Sequence, residues 1–296
     1  MEDDPIGFPA PLWKQLGELG VTGLTLPEAY GGGGQSALEA MIVYEELGRA
    51  LAPSPHFVSA VLAAGVIARG GTEAQKREWL PKIASGEAIV TPAWLEPRGG
   101  YGPLGVQLTA SGSGGNAEAH RRASATCSSR RPRPGSSCSP RSGTAATDVD
   151  LLLVDPTAPG VTLTQQKTMA VRHAVRGRRS ATSRSPRPSA SARARGGWAL
   201  WNDVMHAGII LLAAQAMGGA ERALEITVDY AKTRHQFDKP LGAFQALAHY
   251  LGRRRDRRRR RPHARPRGGV GARERAIDRA SSRRWRSSSR AGPIAT

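Results

Sequence analysis

Cysteine is nearly absent. The 296 residues hold two, Cys127 and Cys138, too few for a disulfide framework or a cysteine-rich zinc site, and they do not form a Cys-x-x-Cys pair. Aromatic residues make up 5% and the apolar set 39%; the apolar share lies below the roughly 45–50% usual for globular chains, although that benchmark also counts glycine. Part of the chain is therefore expected to pack no core. Long hydrophobic runs are missing too. The longest, residues 208–220, falls short of the ~18 apolar residues a membrane span needs and reads as a buried core helix. The N-terminus, Met1-Glu2-Asp3-Asp4, is acidic where a secretory signal would be basic and then apolar. These absences point to a cytoplasmic chain with no membrane partner.

Lysine is scarce in a way that matters more. Net charge is +19, which invites a nucleic-acid partner, because clustered cations displace counterions from phosphate backbones. Most of that charge sits in three tracts, residues 116–143, 171–197 and 252–296, which hold 6, 8 and 17 arginines against Glu118, Asp256, Glu274 and Asp278. Together the tracts carry +27 and the rest of the chain −8. All six lysines, Lys14, Lys76, Lys82, Lys167, Lys232 and Lys239, lie outside them. Basic surfaces normally mix both cations. Arginine with Ala, Gly, Pro and Ser but no lysine is the composition of a GC-rich gene translated out of frame. Paired indels would produce the two internal tracts, and an uncorrected one the last. The alternative is an Arg-rich disordered arm, best supported by the eight arginines of residues 253–261. Trp285 is the only base-stacking aromatic in the tracts, so nucleic acid is disfavoured as a partner. The tracts are expected to lack packed structure.

The remaining segments are patterned. Leu12, Trp13, Leu16 and Leu19 recur at helical spacing before Gly20. Ser36 with Glu39, and Thr72 with Gln75, are capping boxes opening helices whose apolar residues include Leu38, Met41, Ile42 and Leu47, and then Trp79, Leu80 and Ile83. Between the first two helices, Gly31-Gly32-Gly33-Gly34 lacks the lysine of a phosphate-binding loop and reads as a flexible turn. Residues 149–154 and 161–164, separated by Asp155-Pro156-Thr157-Ala158-Pro159-Gly160, read as two strands joined by a loop. Ile210, Ala213, Met217, Ala220, Leu224 and Val228 describe a long helix with a narrow buried seam, ending near residues 232–235. A second helix follows and is expected to be cut off at Tyr250-Leu251 by arginine.

Four blocks carry a resemblance. They are Leu16-Gly17-Glu18-Leu19-Gly20 through Leu26-Pro27-Glu28-Ala29-Tyr30-Gly31-Gly32; Glu45-Glu46-Leu47-Gly48-Arg49-Ala50; Glu78-Trp79-Leu80-Pro81-Lys82-Ile83-Ala84-Ser85-Gly86-Glu87; and Ala231-Lys232-Thr233-Arg234-His235-Gln236-Phe237-Asp238-Lys239-Pro240-Leu241 with Phe244-Gln245. In order and spacing the chain resembles the acyl-CoA dehydrogenase family of flavoproteins. The resemblance implies an α+β protein: an N-terminal α-helical domain (residues 1–90), a middle β-barrel domain (91–197) interrupted by the first two Arg-rich tracts, and the start of a C-terminal four-helix bundle (198–251), with residues 252–296 as an out-of-frame tail. It implies FAD as cofactor, α,β-desaturation of an acyl-CoA thioester, electron-transferring flavoprotein as electron acceptor, and a homo- or hetero-oligomer. Arg234 matches the arginine on the FAD pyrophosphate, where a guanidinium fork suits phosphate oxygens. Gln236, Phe237 and Gln245 match neighbouring positions at the same contact, often reached from a partner subunit.

The chain departs from the family at the chemistry. Trp94-Leu95-Glu96-Pro97-Arg98-Gly99-Gly100-Tyr101 stands where the family has Thr-Glu-Pro followed by Gly-Ser-Asp. The family strand that sets Trp and Ser/Thr against the isoalloxazine should fall in residues 116–143, and the sequence there does not carry it. The usual position of the base lies beyond Leu251, and the alternative one falls near Gly208, which cannot take a proton. No catalytic residue is assigned, Glu274 included. His206, with only Asp203 at helical ligand spacing, and His249 suggest no metal site, and Ser36 has no nucleophile elbow.

Overall fold

In a computed structural model, residues 7–95, 100–106 and 197–260 are described continuously, and between them the strand segments given below with Val149 and Leu151. The N-terminal third is helical, as the spacing predicts: α1 (Ala10–Glu18), α2 (Ala37–Arg49), α3 (Ala64–Gly70) and α4 (Glu73–Ala84). Both capping boxes form. The Ser36 and Thr72 hydroxyls accept from the first-turn amides, while Glu39 and Gln75 accept from the cap amides, which satisfies N–H groups a helix start leaves unpaired. Gly20, at φ 72°, takes the left-handed conformation just beyond α1. Directly before α3, Phe57–Ala63 forms a π-helical stretch, a rare geometry that widens the turn.

The core of this region gathers Leu26, Ala64, Ile67, Leu80, Ile83 and Val90. A satellite of Trp13, Leu16 and Ile89 is tied down where the Trp13 indole donates to the Gly86 carbonyl at 2.8 Å. On α2 the expected apolar face is partly wrong. Ile42 is exposed, and the buried positions are Ala40, Tyr44, Leu47 and Gly48. The four-glycine turn is cross-linked rather than loose. The Gly33, Gly34 and Gln35 amides donate to the carbonyls of Gly23, Leu26 and Leu24, so these donors are already engaged and cannot cradle a phosphate.

The middle region holds β1 (Thr91–Ala93), β2 (Thr109–Ser111), β3 (Glu118–His120), β4 (Ser124–Cys127), β5 (Ser136–Cys138), β6 (Leu152–Val154), β7 (Val161–Gln166) and β8 (Ala174–Arg179). They form three sheets, ordered β1-β5-β6, β2-β3 and β4-β8-β7. The two strands expected from the sequence are both present, but they belong to different sheets: β6 pairs β5 and β7 pairs β8, each antiparallel. Backbone ladders nevertheless run through parts of the first two Arg-rich tracts; β4 pairs β8 over four residues. A ladder needs only main-chain donors and acceptors, which any non-proline residue supplies.

The long helix α5 spans Gly197–Thr233. Packing divides the chain inside it, into a unit of residues 1–219 and a second of residues 220–296. In the first unit its buried stripe is Trp201, Val204, Gly208, Leu211, Ala214 and Gly218. The seam expected from Ile210, Ala213 and Met217 is therefore displaced by one position; Ala213 is exposed. Glycine explains the shift. A Cβ on Gly218 would overlap the Glu45 carbonyl, and one on Gly48 the Gln215 carbonyl, so α2 and α5 approach backbone to backbone where no hydrophobicity pattern marks a contact. By length and composition alone α5 is long and apolar enough to cross a membrane, contrary to the sequence expectation; one stripe of it is buried on Leu62, Val66, Ala40 and Tyr44.

In the second unit α5 ends at Thr233, a two-stranded hairpin of β9 (His235–Gln236) and β10 (Lys239–Pro240) follows, and α6 runs Gln245–Arg260. Helix α6 continues nine residues past the expected stop at Leu251. Arginine is among the better helix formers, so the start of the tract prolongs the helix rather than ending it. Helices and strands together give the α+β class expected.

Candidate functional site

The four residues singled out for cofactor contact lie in the connection between α5 and α6. The last turn of α5 is closed by Thr233, whose hydroxyl donates to the Asp229 carbonyl at 3.1 Å. The Arg234 amide donates to Tyr230 and the Arg234 carbonyl accepts from Leu241, both at 2.9 Å. That second bond fastens the base of the hairpin, in which Gln236 pairs with Lys239 and His235 with Pro240.

Phe237 and Asp238 form the two-residue tip at φ 53° and 62°. Tight hairpins of this kind demand left-handed residues at both central positions, and Asn or Gly normally supplies them. A phenylalanine there carries a penalty of roughly 1–2 kcal/mol. The residue is 85% exposed, and its ring meets Phe244 edge to face at 6.2 Å. The Lys239 ammonium lies 4.7 Å from the centre of the Phe244 ring, a cation–π contact that helps fix β10 against the start of α6. Gln245 opens α6.

The structure thus gathers Arg234, Gln236, Phe237 and Gln245 into one short connection, every one of them exposed. The set offers a phosphate-matching guanidinium, two amides and a free aromatic face, presented outward rather than into a cleft of their own unit.

The positions expected to matter for chemistry fare differently. Gly208 is buried, and a Cβ there would meet the Phe57 ring at 3.1 Å and the Leu62 side chain at 3.2 Å, so any side chain at this point requires both neighbours to shift. Trp94 packs on Trp201 and Tyr101 with ring centres 5.4 and 6.0 Å apart. Glu96, Pro97 and Glu274 lie outside the described residues. His206 faces Asn202 at 3.5 Å, and no cluster of three metal-ligating side chains occurs among the described residues.

One buried polar pair carries no sequence signal. His56 and Tyr44 meet at 3.0 Å through His56 Nδ1, while Nε2 lies 2.9 Å from the Val21 carbonyl. A carbonyl only accepts, so Nε2 carries the hydrogen and Nδ1 accepts from the tyrosine hydroxyl. Both ring nitrogens are satisfied by the neutral form. Burial lowers the His56 pKa, opposed by the Val21 carbonyl, and burial pushes the Tyr44 hydroxyl up. Nearby Thr91 is fully buried with its hydroxyl unpartnered among the described residues.

The model of the acyl-CoA dehydrogenase N-terminal domain matches residues 1–87, and that of the acyl-CoA dehydrogenase C-terminal domain residues 195–257. Acyl-CoA dehydrogenase FadE27 of Mycobacterium tuberculosis is 33% identical over 248 residues, 82% of this chain and 62% of that protein. Among solved structures, the ChsE4–ChsE5 complex of M. tuberculosis matches with a TM-score of 0.71 at 26% identity, covering 85% of this chain and 65% of the other. A glutaryl-CoA dehydrogenase of Mycobacterium smegmatis in complex with FADH2 matches at 0.71 and 25%, covering 83% and 63%. The chain spans 60–65% of the length of the curated relatives FadE27, YngJ and IpdE2. The capped N-terminal helices and the exposed Arg234 to Gln245 connection fall inside the two matched regions, and the chain belongs to the acyl-CoA dehydrogenase family.

Proposed function

We propose that this chain descends from a cytoplasmic, FAD-dependent enzyme that desaturates an acyl-CoA thioester between its α and β carbons and hands the electrons to an electron-transferring flavoprotein. The exposed connection carrying Arg234, Gln236, Phe237 and Gln245 supports the reading most directly. Its guanidinium and amides suit the pyrophosphate end of FAD in an adjoining subunit. FAD, where bound, supplies the hydride acceptor.

The fit stops at that end. The motif expected beside the flavin ring reads Trp94-Leu95 where polar residues are needed, and the Trp94 ring is already packed on Trp201 and Tyr101. Gly208 offers no base. No step of the desaturation is therefore assigned to these residues. As written, the chain retains FAD weakly or not at all and lacks dehydrogenase activity, and the three lysine-free tracts are out-of-frame translation. Purified chain showing flavin absorbance that bleaches on addition of an acyl-CoA would overturn the loss of function. Coding DNA with no sensible alternative-frame segment at residues 116–143, 171–197 and 252–296 would overturn the frame reading.

A second reading is favoured by the likeness to a two-protein complex: a non-catalytic subunit whose exposed connection completes a partner's flavin site. Co-expression with a catalytic homologue tests it. The expected result is co-purification with a flavin content that falls on Arg234→Ala.

A further inference from the structure

The Arg-rich segment that follows Gly252 enters the structure as part of a helix, which changes what it can bind. Residues 253–260 are seven arginines and Asp256, all within α6, Gln245–Arg260. At 1.5 Å per residue those eight positions cover about 12 Å and carry a net +6, one positive charge per ~2 Å. Duplex DNA carries one negative charge per ~1.7 Å of its axis. Apart from the half-buried Leu251, residues 245–253 are exposed, so at least this leading part of the helix is uncovered. Its full diameter, ~10–12 Å with side chains, matches the ~12 Å major groove of B-form DNA.

We propose that α6 is a sequence-independent binding element for duplex DNA, laid along the major groove with its arginines on the phosphates. The proposal is independent of the dehydrogenase reading; it follows from charge density and helical form whatever the origin of the tract. A preformed helix loses less conformational freedom on binding than a disordered arm. The scarcity of stacking aromatics, which weighs against single-stranded partners, does not bear on a groove contact. Anionic membrane fits less well, since residues 253–260 contain no apolar residue to insert. Duplex RNA fits less well, since its major groove is too narrow for such an element.

The test is fluorescence anisotropy of the full chain with a labelled B-form duplex of mixed sequence, an RNA duplex of equal length, and phosphatidylserine-containing vesicles. With about four arginines engaged, log K should fall with log salt at a slope near −4, a loss of roughly 150-fold between 50 and 200 mM. Arg254→Gln, Arg255→Gln, Arg258→Gln and Arg259→Gln together should flatten that slope by about half or more. The same charge removed from the tail, at Arg283, Arg284, Arg286 and Arg290, should change it much less. Asp256→Pro separates helix from charge, because it adds net positive charge while breaking α6; weaker DNA binding is expected, with the loss of helix checked by circular dichroism. Equal effects of the helix and tail quadruple variants would overturn the proposal. So would undiminished binding by Asp256→Pro, or vesicles or RNA bound as tightly as DNA.

Discussion

Gly218 and Gly219 are neighbours on α5, yet alanine should act with opposite sign at the two. In a helix interior, alanine is favoured over glycine by about 0.8–1 kcal/mol, through the backbone entropy of the unfolded chain. At Gly219 the new Cβ meets only the Gly48 carbonyl oxygen at 3.4 Å and its carbon at 3.9 Å, ordinary contact distances, so most of the gain should survive. At Gly218 the same atom overlaps the Glu45 carbonyl. That neighbour is main chain in α2 and cannot turn away as a side-chain tip could. Relief requires the two helices to part, which loosens Leu211 and Ala214 from Ala40 and Tyr44. Overpacking of this kind costs about 1–3 kcal/mol. Net, Gly218→Ala should destabilise by up to about 2 kcal/mol and Gly219→Ala stabilise by about 0.5–1 kcal/mol, read from urea midpoints followed by tryptophan fluorescence. A neutral or stabilising Gly218→Ala would show that α2 and α5 do not meet backbone to backbone, and the account of the displaced seam would fall with it.

Three further outcomes are expected. Because burial lowers the His56 pKa, the unfolded chain binds the proton more readily. Stability from this residue is therefore complete above the unfolded pKa near 6.5 and is lost as pH falls below it, by up to about 1.4 kcal/mol per pH unit; a His56→Gln variant with the same acid slope between pH 7 and 5 as the parent would refute this. Thr91→Val removes a buried hydroxyl without a partner among the described residues at nearly constant shape, and should stabilise by about 1 kcal/mol in thermal or urea unfolding; a loss would mean the hydroxyl is bonded. Thr72→Ala deletes the cap of α4, with its bond from the Gln75 amide, and should cost about 1 kcal/mol; an unchanged midpoint would argue that the tertiary contacts of Leu80 and Ile83 alone hold the helix.

What could be read from sequence was what local chemistry dictates. The capping boxes at Ser36 and Thr72 are written in adjacent residues and form as expected. The N-terminal helices, the two middle strands and the long helix follow from periodicity. Apolar spacing alone does not fix the register of α5, because it fits Ile210-Ala213-Met217 as well as Leu211-Ala214-Gly218. Only the approach of α2 at Gly48 and Gly218 decides between them, and glycine adds nothing to a hydrophobicity pattern. The Tyr44–His56 pair was invisible for a related reason. Its two residues come from α2 and from the residue before the π-helical stretch, and nothing local marks either as buried. Arginine does not terminate α6, because its helix propensity, not its rarity in such runs, governs the local backbone.

The hairpin after α5 links these observations to function. Of two residues at positive φ, one is a phenylalanine left 85% exposed to solvent. Inside the unit the turn is held by the short β9–β10 ladder, an edge contact with Phe244, the cation–π contact of Lys239 and the backbone bond from Leu241 to Arg234. An asparagine or glycine at position 237 would make the same turn without the strain. Strained, exposed aromatic residues persist where something outside the local fold uses them, and Arg234, Gln236 and Gln245 lie exposed in the same connection. Gly208, by contrast, is closed over by Phe57 and Leu62. On the reading proposed above, the exposed Phe237 and its neighbours Arg234, Gln236 and Gln245 are the part of this connection that a second subunit would use, and replacing Phe237 with asparagine should stabilise the isolated chain while weakening any such contact.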